Sequence, residues 1–130
     1  MTTTDTAAWI AGWASCAGII AIGTRFLVAP TAAAAGYGVE PPVAADPYLA
    51  VKGVRDIGTG LIGMAVLASA QRRIGARTLL AAAAIPASDA AIVRTRGGSP
   101  AIAYGVHGVT AAVLIACGAI LLRRTGITQG

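Results

Sequence analysis

Four stretches of nearly unbroken apolar residues run along the chain, at 7–28, 47–70, 77–93 and 101–122. Each comes close to the roughly 20 residues that a helix needs to cross a hydrocarbon core of about 30 Å. The pattern predicts an all-α fold: a four-helix transmembrane bundle of up-down topology, formed by residues 1–130 as one domain. Trp9 and Trp13 stand near the start of the first stretch, where indole rings anchor a helix at the membrane interface. Asp46 is placed to cap the second helix, with Pro47 at its first position. Pro86 interrupts the third stretch and predicts a kink. Pro100 opens the fourth.

The connections are unequal. Gln71-Arg72-Arg73-Ile74-Gly75-Ala76 reads as a tight basic turn between the second and third helices. Arg94-Thr95-Arg96-Gly97-Gly98-Ser99 joins the third to the fourth. The first connection, Ala29 to Asp46, is longer. It holds Pro30, an alanine run from Ala32 to Ala35, then Gly36, Tyr37, Gly38, Glu40, Pro41 and Pro42. A short interfacial helix followed by a rigid extended stretch fits this segment, and it is long enough to lie over one end of the bundle as a lid. An ordinary connector is the plainer alternative.

Composition strengthens the membrane reading. Hydrophobic residues make up 56% and charged residues 12% of the 130, and mean hydropathy is +0.74. A soluble domain carries about 25% charged residues. The 17 glycines suit close helix packing in lipid, where van der Waals contact replaces the hydrophobic drive. Gly53, Gly60 and Gly63, Gly105 and Gly108 are the expected points of close approach, with Thr59-x-x-x-Gly63 as a small-xxx-small pair. The net charge of +5 has no aromatic-interleaved basic stripe, so it argues for anionic lipid rather than nucleic acid as the partner. Arg72, Arg73, Arg77, Arg123 and Arg124 fall on the side of the termini, against Arg25, Arg94 and Arg96 on the other. That bias puts both termini of a multi-pass cell-membrane protein in the cytoplasm. Cys16 and Cys117 sit in apolar runs with no metal-ligand spacing and read as small packing residues. The opening MTTTDT lacks the basic region of a signal peptide, so the first apolar run is expected to be retained.

The remaining polar residues converge. Asp56 lies about nine residues into the second stretch, roughly 13 Å deep, with Lys52 and Arg55 shallower. Asp89 precedes the exit of the third stretch, and Arg94 follows it. Tyr104, His107 and Thr110 lie near the start of the fourth, and Arg25 near the end of the first. In up-down topology all of them share the membrane half opposite the termini. A charge at the centre of a spanning helix costs about 2.5–3.5 kcal/mol on insertion scales, so Asp56 and Asp89 are expected to face inward and to be paired or neutral. Lys52 and Asp56 are spaced to pair on one face. Arg55, about 100° around the helix from Asp56, is expected to reach Asp89 or a ligand. A half-buried polar cup results. The alternative is an ion-pair network that only fixes helix register.

As a site, the cup places Asp56, His107 and Asp89 as acid–base groups. Arg25, Lys52, Arg55, Arg94, Tyr104 and Thr110 become substrate-binding residues. The mixture of titratable groups and fixed cations suits proton transfer with charge stabilisation. The expected activity is cofactor-independent isomerisation, cyclisation or oxidation of a small lipophilic or anionic metabolite. One histidine and two aspartates make a thin ligand set for a metal. A small carrier or channel subunit is the second reading, one that would require a homo-oligomer. An accessory or structural subunit is the third.

The segments Tyr48-Leu-Ala-Val-Lys52-Gly53-Val54-Arg55-Asp56, Ile85-Pro86-x-x-Asp89 and Val106-His107-Gly108-x-Thr110-Ala111-Ala112 together resemble a family of small four-helix integral membrane proteins, catalogued as a domain of unknown function and marked by Gly-Val-Arg and His-Gly motifs. The likeness runs over about residues 7–122. It implies the four-helix layout and draws attention to Lys52, Arg55, Asp56, Asp89 and His107, but implies no activity. In size and layout alone the chain is also similar to membrane proteins of the anthrone oxygenase type.

Overall fold

Every regular element in the computed structural model is helical, over the described residues 2–42 and 46–125. Only the backbone is described at 124 and 125, so the side chain of Arg124, like residues 43–45 of the first connector, lies outside. Helix α1 spans Thr3–Val28 and starts four residues ahead of the apolar run. The Thr2 side chain accepts from the Asp5 backbone N–H, and the Asp5 carboxylate accepts from that of Thr2. This reciprocal cap satisfies two end groups that would otherwise lack partners. Helix α2, Pro30–Tyr37, occupies the long connector; Pro30 stands in its first turn and Gly38 ends it at φ +90°. Helix α3, Pro47–Ala68, is capped by Asp46, whose carboxylate accepts from the Tyr48 N–H at 2.9 Å.

The predicted turn from Gln71 to Ala76 is mostly helix. The chain reverses over Ser69–Gln71, with Ala70 at φ +57°, and α4 runs from Arg72 to Ala82. Arginine and alanine propagate a helix well, and Gly75 is tolerated because Leu67 and Trp9 press close to it. Helix α5, Ala84–Thr95, continues α4 after a break at Ala83. Pro86 has no N–H for the carbonyl of Ala82, which explains the break. Helix α6 is the single turn Pro100–Ile102; a π-helical turn, Ala103–Gly108, leads from it into α7, Val109–Thr125.

Among the described residues, three continuous helical stretches are long and apolar enough to cross a membrane: Thr3–Val28, Arg72–Thr95 and Pro100–Arg123. The apolar pattern predicts four. The missing one is α3, which has 22 residues but carries Lys52, Arg55 and Asp56 within every 18-residue stretch of its length.

Helix α1 packs against α3 on one side and α7 on the other, and α4 packs against α7. Glycines set two of these seams. A Cβ on Gly23 would lie 2.5 Å from the Gly53 carbonyl oxygen; one on Gly60 would lie 2.7 Å from the Cys16 carbonyl oxygen. A Cβ on Gly118 would meet the Ala76 carbonyl at 2.8 Å. Gly105 and Gly108 make no comparable approach; they belong to the π-helical turn, and Gly118 is the close-packing glycine of this column. At the end near the termini, Ala8, Ala76, Leu79, Leu114, Cys117 and Leu121 form the core. Arg72 pairs with Asp5 at 3.4 Å, which fixes the N-terminal end of α1 beside the α3–α4 turn.

Candidate functional site

Between the helical columns lies a cavity of about 380 Å3, at the small end of the roughly 300–1,000 Å3 usual for small-molecule sites. One end is polar, walled by Arg25, Tyr37, Asp56, Asp89 and His107. The body is apolar, walled by Ile19, Ile22, Ile62, Leu79, Ile85 and Leu114. Thr59, Thr78, Thr110 and Ser15 add hydroxyls along it. Helix α2 roofs the polar end with Ala33, Gly36 and Tyr37.

The polar end is built in layers. Asp56 is buried, and one carboxylate oxygen takes a 2.8 Å hydrogen bond and ion pair from Lys52 Nζ. The ammonium also stands 4.3 Å from the Tyr37 ring centroid and 5.0 Å from that of Phe26. Two ring faces and a carboxylate therefore hold Lys52 outside the cavity wall, where it fixes Asp56. Tyr37 meets Phe26 edge-on at 5.7 Å and His107 at 4.4 Å. Phe26 is fully buried against Ala33 and Ala34, so α2 is anchored through these rings.

His107 is buried, and its Nε2–H donates to the Tyr37 carbonyl oxygen at 2.9 Å. A carbonyl only accepts, so Nε2 is the donor in this contact. The π-helical turn brings the ring to this position. Ala103, His107 and Ala111, four residues apart, are all buried and share one face of the column. π-turns of this kind occur often at functional sites.

Burial pushes the Tyr37 phenol above its ordinary value; the Asp89 carboxylate against its hydroxyl, then Asp56, push it further. The folded state therefore keeps this proton at pH values where the unfolded chain, titrating near 10, has lost it. The contribution to stability is complete below about pH 10 and disappears as the pH rises past it. Alkaline unfolding in detergent should consequently be steeper for the wild type than for Tyr37→Phe, which keeps the ring contacts. Parallel pH–stability curves would remove Tyr37 from this account.

Of the residues expected at the site, the structure brings Arg25, Asp56, Asp89, His107 and Thr110 to the cavity wall, with Lys52 joined through Asp56. Three do not join them. Arg55 is exposed and outside the wall, because its neighbour Asp56 faces inward and the next residue on a helix points about 100° away. Arg94 is exposed for the same reason beside fully buried Val93. Tyr104, three residues before His107, is 62% exposed, because the wider π-helical turn carries that position off the histidine's face and leaves Ala103 closer in phase with it. Tyr37 and Phe26 are site residues that the polar pattern does not reveal. The usable signal is Gly36-Tyr37-Gly38, a large aromatic flanked by glycines in a connector. Among the described residues, no three His, Cys, Asp or Glu side chains are grouped closely enough to hold a metal ion.

Residues 16–121 match the family described as Domain of unknown function (DUF4267). No curated protein and no solved structure matches.

Proposed function

The chain belongs to the DUF4267 family, and from that premise we propose that it is a small membrane-embedded enzyme acting on an amphipathic metabolite by acid–base chemistry, without a cofactor. Four crossings are part of the reading: α1, α3, the α4–α5 column and the α6–α7 column, with α3 admitted because its Asp56 faces inward and is paired with Lys52. Both termini lie on the cytoplasmic side with Arg72, Arg73, Arg77 and Arg123, consistent with the Asp5–Arg72 pair at that end.

The observation that carries the proposal is the joint burial of His107 and Asp56 at one end of a cavity whose body is apolar. Buried ionisable groups in a spanning bundle mark functional sites by default. Here they are supported by side chains that fix their orientation, as preorganised chemistry requires. In this reading His107 Nδ1 and the Asp89 carboxylate take and return a proton on the substrate's polar end. Asp56, fixed by Lys52, orients the group that reacts. Arg25 is the cation on the wall and opposes the negative charge that develops. Isomerisation or cyclisation needs no more than this. A channel is disfavoured, because the apolar core of Ala8, Ala76, Cys117 and Leu121 lies outside the cavity wall at the end near the termini.

The test is thermal unfolding in detergent, combined with mass spectrometry of an organic-solvent extract of the source cells before and after incubation. The wild type should be stabilised by the extract and should convert a component of it. Asp56→Asn and His107→Ala should stay folded, with conversion down by about 10²–10⁴-fold for the histidine variant. Stabilisation without conversion would point to a carrier. Early melting of both variants, with no effect of the extract on the wild type, would leave a polar cluster that only holds the bundle together.

A further inference from the structure

One wall of the cavity, between α3 and α5, is not a packed seam. The α1–α3 and α4–α7 contacts are closed by glycine-to-backbone approaches at Gly23, Gly60 and Gly118, and α5 rests against the π-helical turn. Helix α3 meets α4 near the turn that joins them, but among the described residues it makes no comparable contact with α5. Two residues flank this gap: Ile62 on α3 and Ile85 on α5. Both line the cavity, yet both also reach the outer surface, at 65% and 45% exposure. A side chain that does both stands at a rim. At 1.5 Å per residue, Ile62 lies about 22 Å along α3 from Pro47 and Ile85 about 15 Å along α5 from Thr95, both within a hydrocarbon core about 30 Å thick.

We infer that the gap between α3 and α5 is a lateral portal, and that the substrate is an amphipath dissolved in the bilayer which passes Ile62 and Ile85 sideways to reach the cavity. The inference rests on the enzyme reading and narrows its substrate class. The apolar body of a lipid-dissolved molecule has no hydration to lose at an apolar rim, so only its one polar end has to be desolvated, whereas a water-soluble metabolite would have to shed the hydration of all its polar groups. Its apolar body would lie along Ile19, Ile22 and Leu114, with its polar end at His107 and Asp89. The roof made by α2, pinned through Phe26, Tyr37 and the His107 hydrogen bond, covers the polar end, where the guanidinium of Arg25 stands at its edge.

A native reporter sits deep in the cavity. Cys16 lines it, whereas Cys117 is buried in the core away from it. In a Cys117→Ser background, the full-length protein in phosphatidylcholine vesicles is treated with N-dodecylmaleimide, which partitions into the bilayer, or with the charged, water-borne (2-sulfonatoethyl)methanethiosulfonate. Cys16 should react with the lipid-borne reagent and much more slowly with the water-borne one. Ile62→Trp combined with Ile85→Trp should slow the lipid-borne reaction by about an order of magnitude, because a filled seam admits molecules only during transient opening. Ile10→Trp, equally exposed but away from the cavity, should change nothing. Equal or faster reaction from water, indifference to the rim tryptophans, or no labelling by either reagent would overturn the portal. None of these readouts depends on turnover, so failure of the enzyme reading appears separately, as absence of conversion in the extract experiment.

Discussion

Replacing Asp56 with alanine is expected to destabilise the protein by about 3 kcal/mol, and replacing Lys52 with methionine at the same time is expected to return a large part of that loss. The reason is the asymmetry of buried ion pairs. Removing one partner leaves the other charge with its desolvation uncompensated, typically at 3–5 kcal/mol, whereas replacing both with apolar groups is often close to neutral. The lower figure applies here because the Lys52 side chain keeps 28% of its surface and Asp56 keeps 12%. Methionine retains most of the stem that passes between Phe26 and Tyr37 and keeps a sulfur near the rings. Equilibrium unfolding by detergent of the two single variants and the double variant gives the coupling directly. If the double variant loses the sum of the single losses, Lys52 and Asp56 do not act as a pair, and Asp56 would have to be held in place by something else.

The second large effect is expected at the α1–α3 seam. Gly60→Leu should leave no correctly folded protein, because its first side-chain carbon would already press on the Cys16 carbonyl and on Ile20. A backbone carbonyl cannot rotate away as a side chain can. Gly60→Ala is the graded version and should cost about 1–3 kcal/mol, the usual range for overpacking. Gly18, on the same pair of helices, has nothing within 4 Å of the position its Cβ would take, and Gly18→Ala should change stability by no more than about 0.5 kcal/mol. Alanine is the better helix former at both positions, so similar losses at Gly60 and Gly18 would mean that the close approach at the seam is not what costs stability. Loss of the seam would also spread the wall between Cys16 and Gly63, so cavity function should fall with stability in this series.

Much of this architecture is legible in the sequence because its signals are local. Asp46-Pro47 announces the start of α3 in two residues. Pro86 announces the break at Ala83 through one missing N–H, and Pro30 with Gly38 brackets α2. The depth of the polar residues is also a matter of counting along helices, which is why Asp56, Asp89, His107 and Arg25 arrive at one end of one cavity. What counting does not give is azimuth. Arg55 and Arg94 share the right depth but point outward, and only the packed faces at Asp56 and Val93 decide that. Tyr104 is misplaced by a change of helical period that no single residue type marks. Tyr37 reaches the site from a connector, so neither its depth nor its face follows from a helical repeat. The α4 start is missed for a different reason: a run of arginines resembles a loop in composition, while having good helical propensity.

The π-helical turn has a consequence for how such a site can change. A turn of this kind holds one residue more than an α-turn spanning the same rise. Removing one of residues 103–108, for instance Gly105, would restore the ordinary period and leave the helices on either side close to their present phase, because the widened turn takes up its extra residue within one revolution. Adding a residue has no such outlet and would swing everything on the Pro100 side by about 100° relative to α7. The segment around Gly98, which lies against the Gly38 carbonyl at the end of α2, would move with it, and the roof of the cavity would lose its footing. These six residues therefore tolerate the loss of one residue far better than the gain of one.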